Sequence, residues 1–205
     1  MYLSTTGVYG DRRGAWIDET AAPRPRNERA LRRLDAERQV RHGAWRGAVL
    51  RVPGIYGADR LPLARLQEAI PVPLAHEDVV TNHIHAEDLA RATIAALFRG
   101  APARVYNAVD DSQLMLGEYL DKVADHAGLA RPRRAPWEEM RRAAGPLRMS
   151  FLEESRRIRN GRLKRELRLR LRYADVDAGL AAGAAPGAAR PGTGDQASNR
   201  PSTDR

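Results

Sequence analysis

The sequence predicts an α/β fold built on a parallel sheet, because short runs of β-forming residues alternate with helical segments along most of the chain. Two observations support this prediction. Residues 48–52, AVLRV, form a nearly continuous apolar run, which is typical of a strand buried on both faces of a parallel sheet. Residues 86–98 place apolar side chains at helical spacing, so that a helix can cover such a sheet.

The first elements follow from local composition. Residues 2–6, YLSTT, are β-formers and predict a short strand. Residues 7–26 contain three glycines and two prolines, which predict a loop. Asn27 is a favoured N-cap residue, so a helix is expected from there to about residue 42. The apolar strand comes next and ends at residue 53, a proline.

The remaining elements repeat the alternation of strand and helix. A short helix is expected at residues 63–69 and a strand at 79–84. A strand at 105–109 and a helix at 116–127 follow the amphipathic helix at 86–98. The predicted inner face of that amphipathic helix holds Leu89, Ala92, Thr93, Ala96 and Leu97.

Composition divides the chain into three parts. Residues 1–128 hold the alternating strands and helices. Residues 129–182 are rich in arginine and are predicted to be mostly helical, with a last helix at 175–182. Residues 183–205 have too few large apolar side chains to build a core and are predicted to be disordered.

The charge of the sequence is concentrated in its arginine-rich part. The 205 residues include 35 Lys and Arg against 26 Asp and Glu, which gives a net charge of +9. Residues 129–172 alone hold 15 of the basic residues and only 5 of the acidic ones. A basic stretch can bind nucleic-acid phosphates, but few aromatic side chains lie there to stack on bases. A solvated helical face is therefore the favoured interpretation, and nucleic-acid binding is a distant alternative.

Several classes of protein are excluded by what the sequence lacks. It has no cysteine and therefore no disulfide, no thiolate metal site and no cysteine nucleophile. No apolar run approaches the length that spans a membrane. The first residues lack the charged region and the apolar core of a signal peptide, so we expect a soluble, cytoplasmic protein.

Three glycines near the start suggest a phosphate-binding loop at first inspection. Gly7, Gly10 and Gly14 do not have the spacing of the dinucleotide-binding G-x-G-x-x-G motif, and a proline-rich loop rather than a helix follows them. We therefore interpret these glycines as turn residues in a loop.

A pair of histidines raises the question of a metal site. His83 and His85 alternate on a predicted strand and would share one of its faces, close to Glu87 and Asp88. Both acidic residues lie at the start of a helix, where the helix dipole accounts for them. We therefore predict no metal site.

The remaining signal is the segment at residues 4–11, STTGVYGD. It places hydroxyl side chains at the carboxyl end of a predicted parallel strand, which is where open α/β sheets bind ligands. Such a hydroxyl can hydrogen-bond the oxygen of a substrate carbonyl or alcohol during hydride transfer. Serine and threonine are also common at strand ends without any function.

This segment resembles the S-[ST]-x-x-V-Y-G-D motif of the extended short-chain dehydrogenases/reductases, which form the NAD-dependent epimerase/dehydratase family. Further segments resemble motifs of that family in the same order, and the resemblance covers about residues 2–182. These segments are residues 50–57, LRVPGIYG; 83–89, HIHAEDL; 105–111, VYNAVDD; 156–163, RRIRNGRL; and Gly179-Leu180.

The resemblance implies a fold and a set of ligands. The fold is a Rossmann-type doubly wound parallel sheet, of which this chain would supply the C-terminal half, followed by a small, mostly helical substrate-side region. The cofactor would be NAD or NADP, and the substrate a small molecule such as a nucleotide sugar. A homodimer is one alternative for the assembly of the chain, and the sequence does not give the oligomeric state.

The resemblance also assigns site residues. Thr5 matches the catalytic Ser/Thr of the family. Glu37 matches the glutamate that follows the Y-x-x-x-K pair, so the tyrosine and lysine positions are occupied by Arg29 and Arg33. The residues implied to contact the cofactor are Thr5, Arg33, Pro53, Gly54 and Ile55.

The two arginines imply an atypical member of the family. Arginine stays protonated, so Arg29 cannot take the acid/base role of the tyrosine. Arg33 could donate to a ribose hydroxyl or a phosphate. The function expected from the resemblance is an NAD(P)-binding oxidoreductase, or an enzyme that modifies a nucleotide sugar or another carbonyl compound. A non-catalytic Rossmann-like sensor or interaction module remains an alternative, as does an inactive fragment of a longer enzyme.

The start of the sequence also departs from the family pattern. Members of the family begin with a glycine-rich βαβ unit, whereas this chain begins at the S-[ST]-x-x-V-Y-G-D motif. We therefore expect a fragment or the product of a truncated gene. A sheet without the preceding strands would expose an apolar edge.

Overall fold

Short strands and helices alternate along residues 1–44 and 46–183, which are the residues that the computed structural model describes. The strands are β1 (Tyr2–Thr5), β2 (Trp16–Ile17), β3 (Val49–Val52), β4 (Gly54–Tyr56), β5 (Val72–Pro73), β6 (His83–His85), β7 (Val105–Asn107), β8 (Arg134–Ala135) and β9 (Arg157–Ile158). The helices are α1 (Glu28–His42), α2 (Leu63–Gln67), α3 (Ala86–Arg99), α4 (Leu116–Ala127), α5 (Trp137–Leu152), α6 (Gly161–Glu166) and α7 (Val176–Gly183). The tail predicted to be disordered lies outside the described residues from position 184 onward.

The pairing of these nine strands is parallel throughout, which confirms the predicted α/β class. The central sheet has the order β1-β3-β7, and Thr5 lies beside Val52 in it. β4 continues directly from the end of β3 and pairs with β6, which places Gly54 opposite His83. Because parallel strands end at the same edge of a sheet, this register brings residues from three distant segments together.

The helix predictions that bear on the site are confirmed. α1 begins after Asn27, whose side-chain oxygen accepts a hydrogen bond of 2.9 Å from the backbone N–H of Ala30. α4 has the predicted bounds, and α2 ends two residues before the predicted end. These boundaries follow from local capping and periodicity, which a sequence records directly.

The segment predicted to be a loop, residues 7–26, contains more structure than expected. A single 3-10 turn at Thr6–Tyr9 follows β1, and β2 pairs with β9 from the arginine-rich part. Local composition does not record a pairing with a strand so distant in sequence. Gly10 has a φ of 65°, and a Cβ there would lie 2.0 Å from the Arg24 carbonyl oxygen, so this turn requires glycine.

The prediction for the inner face of α3 is right at its centre and wrong at one position. Ala92 and Ala96 are buried against the central sheet, and Leu89 packs beside them. Leu97 is 60% exposed and lies next to the exposed Phe98. The two small alanines define a narrow contact stripe, and Leu97 is rotated by about 100° from Ala96 around the helix.

The arginine-rich part is joined to the rest of the chain through ion pairs. Helices α5 to α7 form its framework, and Gly145, with a φ of 72°, interrupts α5. Several of its basic side chains pair with carboxylates of residues 1–128, so much of the local charge surplus is balanced within the molecule. These pairs are Arg131 with Asp125, Arg134 with Asp121, Lys164 with Asp111, and Arg172 with Glu87.

A buried ion pair fastens α1 to the central sheet. The Glu37 carboxylate accepts hydrogen bonds from Nε and Nη2 of Arg51, the latter at 2.7 Å, and both side chains are almost fully buried. The Ser4 hydroxyl donates to the same carboxylate at 2.5 Å. The guanidinium of Arg51 also lies over the ring of Tyr9, 4.5 Å from its centroid. These contacts fix the rotation of α1, and with it the direction of the side chains on its first turns.

An apolar edge of the central sheet is exposed, as predicted. β1 is the edge strand of the sheet that the described residues form, and Leu3 of this strand is exposed. Leu31 of the adjacent helix α1 is exposed as well. An edge of this kind offers unpaired backbone groups and apolar side chains to a neighbouring segment.

Candidate functional site

A cavity of about 430 Å³ opens at the carboxyl ends of β1 and β3. Open α/β sheets bind their ligands at this edge. Both the strand-rich part of the chain and the segment after α5 contribute to its wall. Five of the six residues that the sequence predicts for the site line this cavity: Thr5, Arg29, Pro53, Gly54 and Ile55.

Thr5 presents its hydroxyl at the end of β1. The oxygen Oγ1 accepts a hydrogen bond of 3.1 Å from the backbone N–H of Gly7. This contact occupies a lone pair of the oxygen and leaves the hydroxyl proton available for donation. A Cβ at position 7 would lie 3.4 Å from Thr5 Oγ1, so glycine at this position leaves the hydroxyl uncrowded.

Arg29 and Arg33, which the resemblance assigns to the tyrosine and lysine positions, differ in whether they line the cavity. Arg29, on the first turn of α1, lines the cavity. Partial burial and the neighbouring Arg33 lower the pKa of Arg29, although a guanidinium remains protonated near neutral pH. Arg33 is exposed and is not among the cavity-lining residues of the described chain; its Nη1 donates to the Tyr2 hydroxyl at 3.0 Å and to the Leu3 carbonyl at 3.5 Å.

The turn after β3 forms one wall of the cavity. Pro53 is half-buried there, and Gly54 and Ile55 expose their surface to the cavity. A Cβ at Gly54 would lie 3.5 Å from the Asn82 carbonyl oxygen and 3.6 Å from Cδ2 of His83. Glycine at this position therefore leaves a recess of about one methyl group beside the imidazole ring.

The cavity carries an excess of positive charge. Besides Arg29, its lining includes Arg60, Arg65 and Arg156, whereas Glu154 is the only carboxylate among the described lining residues. The Glu154 carboxylate pairs with Nη1 of Arg156 at 2.7 Å, and both side chains are nearly buried. An anion entering this cavity meets several guanidinium groups and a single opposing charge.

Backbone contacts hold the Glu154–Arg156 segment against the strand ends. The backbone N–H of Ser155 donates to Asp11 Oδ1 at 3.0 Å, and the Ser155 hydroxyl accepts from the backbone N–H of Val80 at 3.1 Å. The guanidinium of Arg156 donates to the Gly10 carbonyl at 3.1 Å. Only Arg156 of this segment belongs to the late motif at residues 156–163, and the position of the segment on the cavity could not be read from that pattern.

His83 forms the back wall of the cavity, a role that the sequence did not indicate. Its ring stacks on Tyr119, with the centroids 4.0 Å apart and the planes inclined by 28°. Burial lowers the pKa of His83 to about 3, so the imidazole is neutral near pH 7. Its Nδ1 is buried without a hydrogen-bond partner among the described residues.

A second buried group with an incomplete set of hydrogen bonds adjoins His83 through the backbone. The Asp110 N–H donates to the His83 carbonyl at 2.7 Å. Asp110 Oδ1 accepts from the Ser112 N–H at 2.9 Å, whereas Oδ2 has no partner among the described residues. Burial raises the pKa of Asp110 to about 7, which makes it a carboxyl group that titrates near neutral pH.

The tyrosines of the two motif segments lie away from the cavity. Tyr9 is fully buried, and its hydroxyl donates to Asn107 Oδ1 at 2.7 Å. Tyr56 is also buried, and its hydroxyl donates to the Asp175 carbonyl at 2.9 Å. Burial raises the pKa of both phenols. Neither tyrosine is therefore placed to replace the acid/base that Arg29 lacks.

The described residues contain no group of three or more His, Asp or Glu side chains arranged to hold a metal ion. His83 is stacked on Tyr119, and Nδ1 of His85 accepts from the Glu87 N–H at 3.3 Å as the N-cap of α3. No helix in the described part of the chain is both long and apolar enough to cross a membrane.

Among known proteins, solved structures resemble this chain. Neither a protein-family model nor a curated protein matches the sequence. A conserved protein of unknown function from Silicibacter pomeroyi is 36% identical, with a TM-score of 0.79 over 88% of this chain and 64% of that one. A protein from Methylobacillus flagellatus is 28% identical, with a TM-score of 0.65 over 88% of this chain and 62% of that one. Its assignment as an NAD-dependent epimerase/dehydratase is provisional.

The chain resembles NAD-dependent epimerase/dehydratase structures in fold and in sequence. Its fold is the family's Rossmann-type fold, and it spans less than two thirds of the length of these relatives. The UDP-glucuronic acid 4-epimerase from Bacillus cereus, solved in complex with NAD, is 18% identical, with a TM-score of 0.63 over 87% of this chain and 57% of that one. At that identity the likeness shows the shared fold alone.

Proposed function

We propose that this chain forms the nicotinamide and substrate side of an atypical NAD(P)-binding member of the family. Its activity would be that of an oxidoreductase, or of an enzyme that modifies a nucleotide sugar or another carbonyl compound. The observation that carries the proposal is the convergence of Thr5, Arg29 and Gly54 on one cavity at the carboxyl edge of the sheet. We treat residues 1–128 as the cofactor-binding part and residues 129–182 as the substrate-side part, and both contribute to the cavity wall.

The residues of the cavity fit the nicotinamide end of a dinucleotide. Gly54 leaves a recess beside His83, and Pro53 and Ile55 supply flat apolar surface on either side of it. Arg33, exposed one turn of α1 beyond the cavity, is placed to donate to a ribose hydroxyl or a phosphate. When bound, the nicotinamide would supply the hydride acceptor or donor that no side chain provides.

Thr5 would hold the oxygen of the reacting carbon. Its Oγ1 already accepts from the Gly7 N–H, and its proton remains available for an oxygen in the cavity. A donor fixed in this way stabilises negative charge that develops on the substrate oxygen without reorganising. The 3-10 turn that follows β1 holds the hydroxyl in place.

Arg29 would act by charge and not by proton transfer. A guanidinium at the position of the family tyrosine polarises a substrate oxygen but does not release a proton near neutral pH. A proton that leaves a substrate hydroxyl needs another acceptor, and Glu154 is the carboxylate available at this cavity within the described chain. Its ion pair with Arg156 orients the carboxylate.

The positive lining favours an anionic substrate. Arg60, Arg65 and Arg156 line the cavity together with Arg29 of α1. A phosphate or a carboxylate on the substrate would be held by several guanidinium groups at once. A nucleotide sugar carries such a group, as does a simpler carboxylated carbonyl compound.

The test is titration of the chain with NADH and NADPH, followed by the fluorescence of the reduced nicotinamide. We expect saturable binding to the wild type and a loss of affinity of about tenfold or more in Gly54→Leu, because the leucine fills the recess. Circular dichroism of Gly54→Leu checks that the fold is kept. Equal binding by wild type and Gly54→Leu would place the dinucleotide elsewhere.

Hydride transfer is tested separately with Thr5→Val and Thr5→Ser. The valine keeps the shape of the side chain and removes the donor, so turnover of a carbonyl substrate should fall by about 100-fold, whereas the serine should retain most of it. Dinucleotide binding should change little in either variant. A Thr5→Val protein with unchanged turnover would exclude the proposed role of the hydroxyl.

A second candidate is a non-catalytic sensor or interaction module that binds the dinucleotide without turnover. The observation in its favour is that Arg29 lines the cavity. The resemblance assigns this residue to the position of the family tyrosine, and a guanidinium does not transfer a proton near neutral pH. Tight binding of NADPH together with no loss of its absorbance over a panel of carbonyl substrates would favour this candidate. Measurable oxidation of NADPH would exclude it.

A further inference from the structure

Helix α3 presents an apolar stripe to solvent on the face opposite its buried alanines. Ile94, Leu97 and Phe98 are 57%, 60% and 84% exposed. Their spacing of three and four residues places them on one face of the helix. Single exposed apolar residues are ordinary on protein surfaces, but a contiguous group that includes an almost fully exposed phenylalanine marks an interaction surface.

A groove runs beside this stripe. It has a volume of about 540 Å³ between α3 and the segment at residues 168–170, and its lining includes Ile94, Phe98 and the buried Leu169. Arg168 adopts a φ of 52°. The surface is an open groove whose lining combines apolar side chains with arginines.

Four arginines rim the groove, and no carboxylate is among its described lining residues. Arg91 pairs with the buried Asp88 at 2.6 Å, and Nη1 of Arg99 donates to a neutral acceptor, the Leu167 carbonyl, at 3.0 Å. Arg168 and Arg170 are exposed, and within the described chain neither forms an ion pair. The rim thus carries more positive charge than its surroundings neutralise.

We propose that this α3 groove is a docking site for an acidic amphipathic helix of a partner protein. Apolar side chains of such a helix would pack on Leu97 and Phe98 and enter the groove above Leu169, in the manner of other helix-in-groove complexes. Its carboxylates would meet the arginine rim, which supplies the selection for an acidic partner. This site does not use the cavity at the strand ends and does not depend on the proposed function.

Charge distinguishes this occupant from a second copy of the chain. A two-fold contact through the same groove would bring two sets of four arginines together with no opposing carboxylate from the lining of either copy. Like charges across an interface oppose association. A helix with glutamates on both sides of an apolar stripe instead offers one carboxylate row to each rim of the groove.

The experiment uses the full chain and a defined probe. A fluorescein-labelled peptide of about four helical turns, built from repeats of Glu-Glu-Leu-Leu, is titrated by fluorescence anisotropy against a control peptide with lysine at every glutamate position. We expect the acidic peptide to bind and the lysine peptide not to bind. Raising the salt concentration should weaken the binding, because the rim charges are exposed.

Surface variants locate the binding. Phe98→Ser should lower the affinity for the acidic peptide by about tenfold or more, and Arg170→Glu should lower it as well. Leu31→Ser is the matched control, because it removes another exposed apolar side chain from a different helix and should leave the affinity unchanged. Thermal unfolding followed by circular dichroism confirms that each variant keeps its fold, which its exposure predicts.

Three outcomes would overturn the proposal. The first is equal binding of the acidic and lysine peptides, or equal binding by Phe98→Ser and the wild type. The second is a dimer in analytical ultracentrifugation that Phe98→Ser dissociates, which would make a second copy the occupant. The third is binding to phosphatidylserine vesicles that depends on Phe98 while the acidic peptide does not bind, which would make a lipid surface the occupant.

Discussion

Two groups of buried polar side chains differ in whether their hydrogen bonds are completed. In the first group, the Glu37 carboxylate is shared by Arg51 and Ser4, and each of its oxygens accepts hydrogen bonds. In the second group, Nδ1 of His83 and Oδ2 of Asp110 are buried without partners in the described chain. The first group joins α1 to the central sheet, and the second lies at and behind the wall of the cavity.

This difference distinguishes a group with a structural role, around Glu37, from a group that is a candidate for a functional role, His83 and Asp110. A saturated buried network holds elements together and offers no group to a ligand. A buried polar atom without a partner costs free energy, and such atoms in a folded protein call for an explanation. The second group adjoins the cavity through His83, which lines it.

The largest effect is expected from breaking the saturated network. Glu37→Gln keeps the size of the side chain but leaves the Arg51 guanidinium buried without its counter-charge. We expect the free energy of unfolding to fall by about 3–5 kcal/mol, measured by urea denaturation. Glu28→Gln is the control on the same helix; its pair with Arg32 is exposed, so the change should stay within about 0.5 kcal/mol. A small effect of Glu37→Gln would mean that water replaces the lost charge.

His83 and Asp110 should contribute opposite slopes to the pH dependence of the free energy of unfolding. Between about pH 4 and 7, folded Asp110 retains a proton that the unfolded chain has lost, so rising pH lowers the free energy of unfolding. Between about pH 3 and 6.5, the unfolded chain binds a proton on His83 that the folded chain excludes, so rising pH raises it. From about pH 4 to 6.5 the two contributions oppose each other.

Single substitutions should reveal each contribution. In Asp110→Asn, we expect the free energy of unfolding to rise relative to wild type by about 1.4 kcal/mol per pH unit between about pH 4 and 6.5. In His83→Phe, which keeps a ring against Tyr119, it should fall with the same slope. Urea denaturation at several pH values measures both slopes. Parallel pH profiles for the wild type and both variants would show that these groups titrate normally in the fold.

The smallest expected effect is on ligand affinity and concerns Arg29, which lines the cavity. Arg29→Ala should lower the affinity for NADPH or for an anionic substrate by about tenfold, while the free energy of unfolding changes little. Glu37→Gln should have the opposite profile. Arg32→Ala is the control, because Arg32 lies on the exposed face of the same helix and pairs with Glu28. Equal loss of affinity in Arg29→Ala and Arg32→Ala would indicate a general effect of charge rather than contact in the cavity.

The sequence by itself determined the class of the fold and the members of one wall of the site. Alternating strands and helices are local patterns, and the N-cap at Asn27 records the start of α1 without reference to any partner. The order of the motifs indicated the resemblance to the family, and the spacing from Glu37 predicted an arginine at each position of the Y-x-x-x-K pair. Thr5 and Gly54 follow strands whose parallel direction was predictable, so their convergence was predictable as well.

Only the tertiary structure decided which side chains complete the cavity and which leave it. Glu154 and Arg156 reach the strand ends because β9 pairs with β2, a contact between segments far apart in sequence. Arg33 occupies the position that the resemblance assigns to the lysine, but it projects beside Tyr2, outside the cavity lining, because the Glu37–Arg51 pair fixes the rotation of α1. Leu97 has the hydropathy of a core residue, yet the close packing of Ala92 and Ala96 leaves it in solvent. The burial and the direction of a side chain depend on which helix and sheet surfaces pack together, and a local sequence pattern does not record that packing.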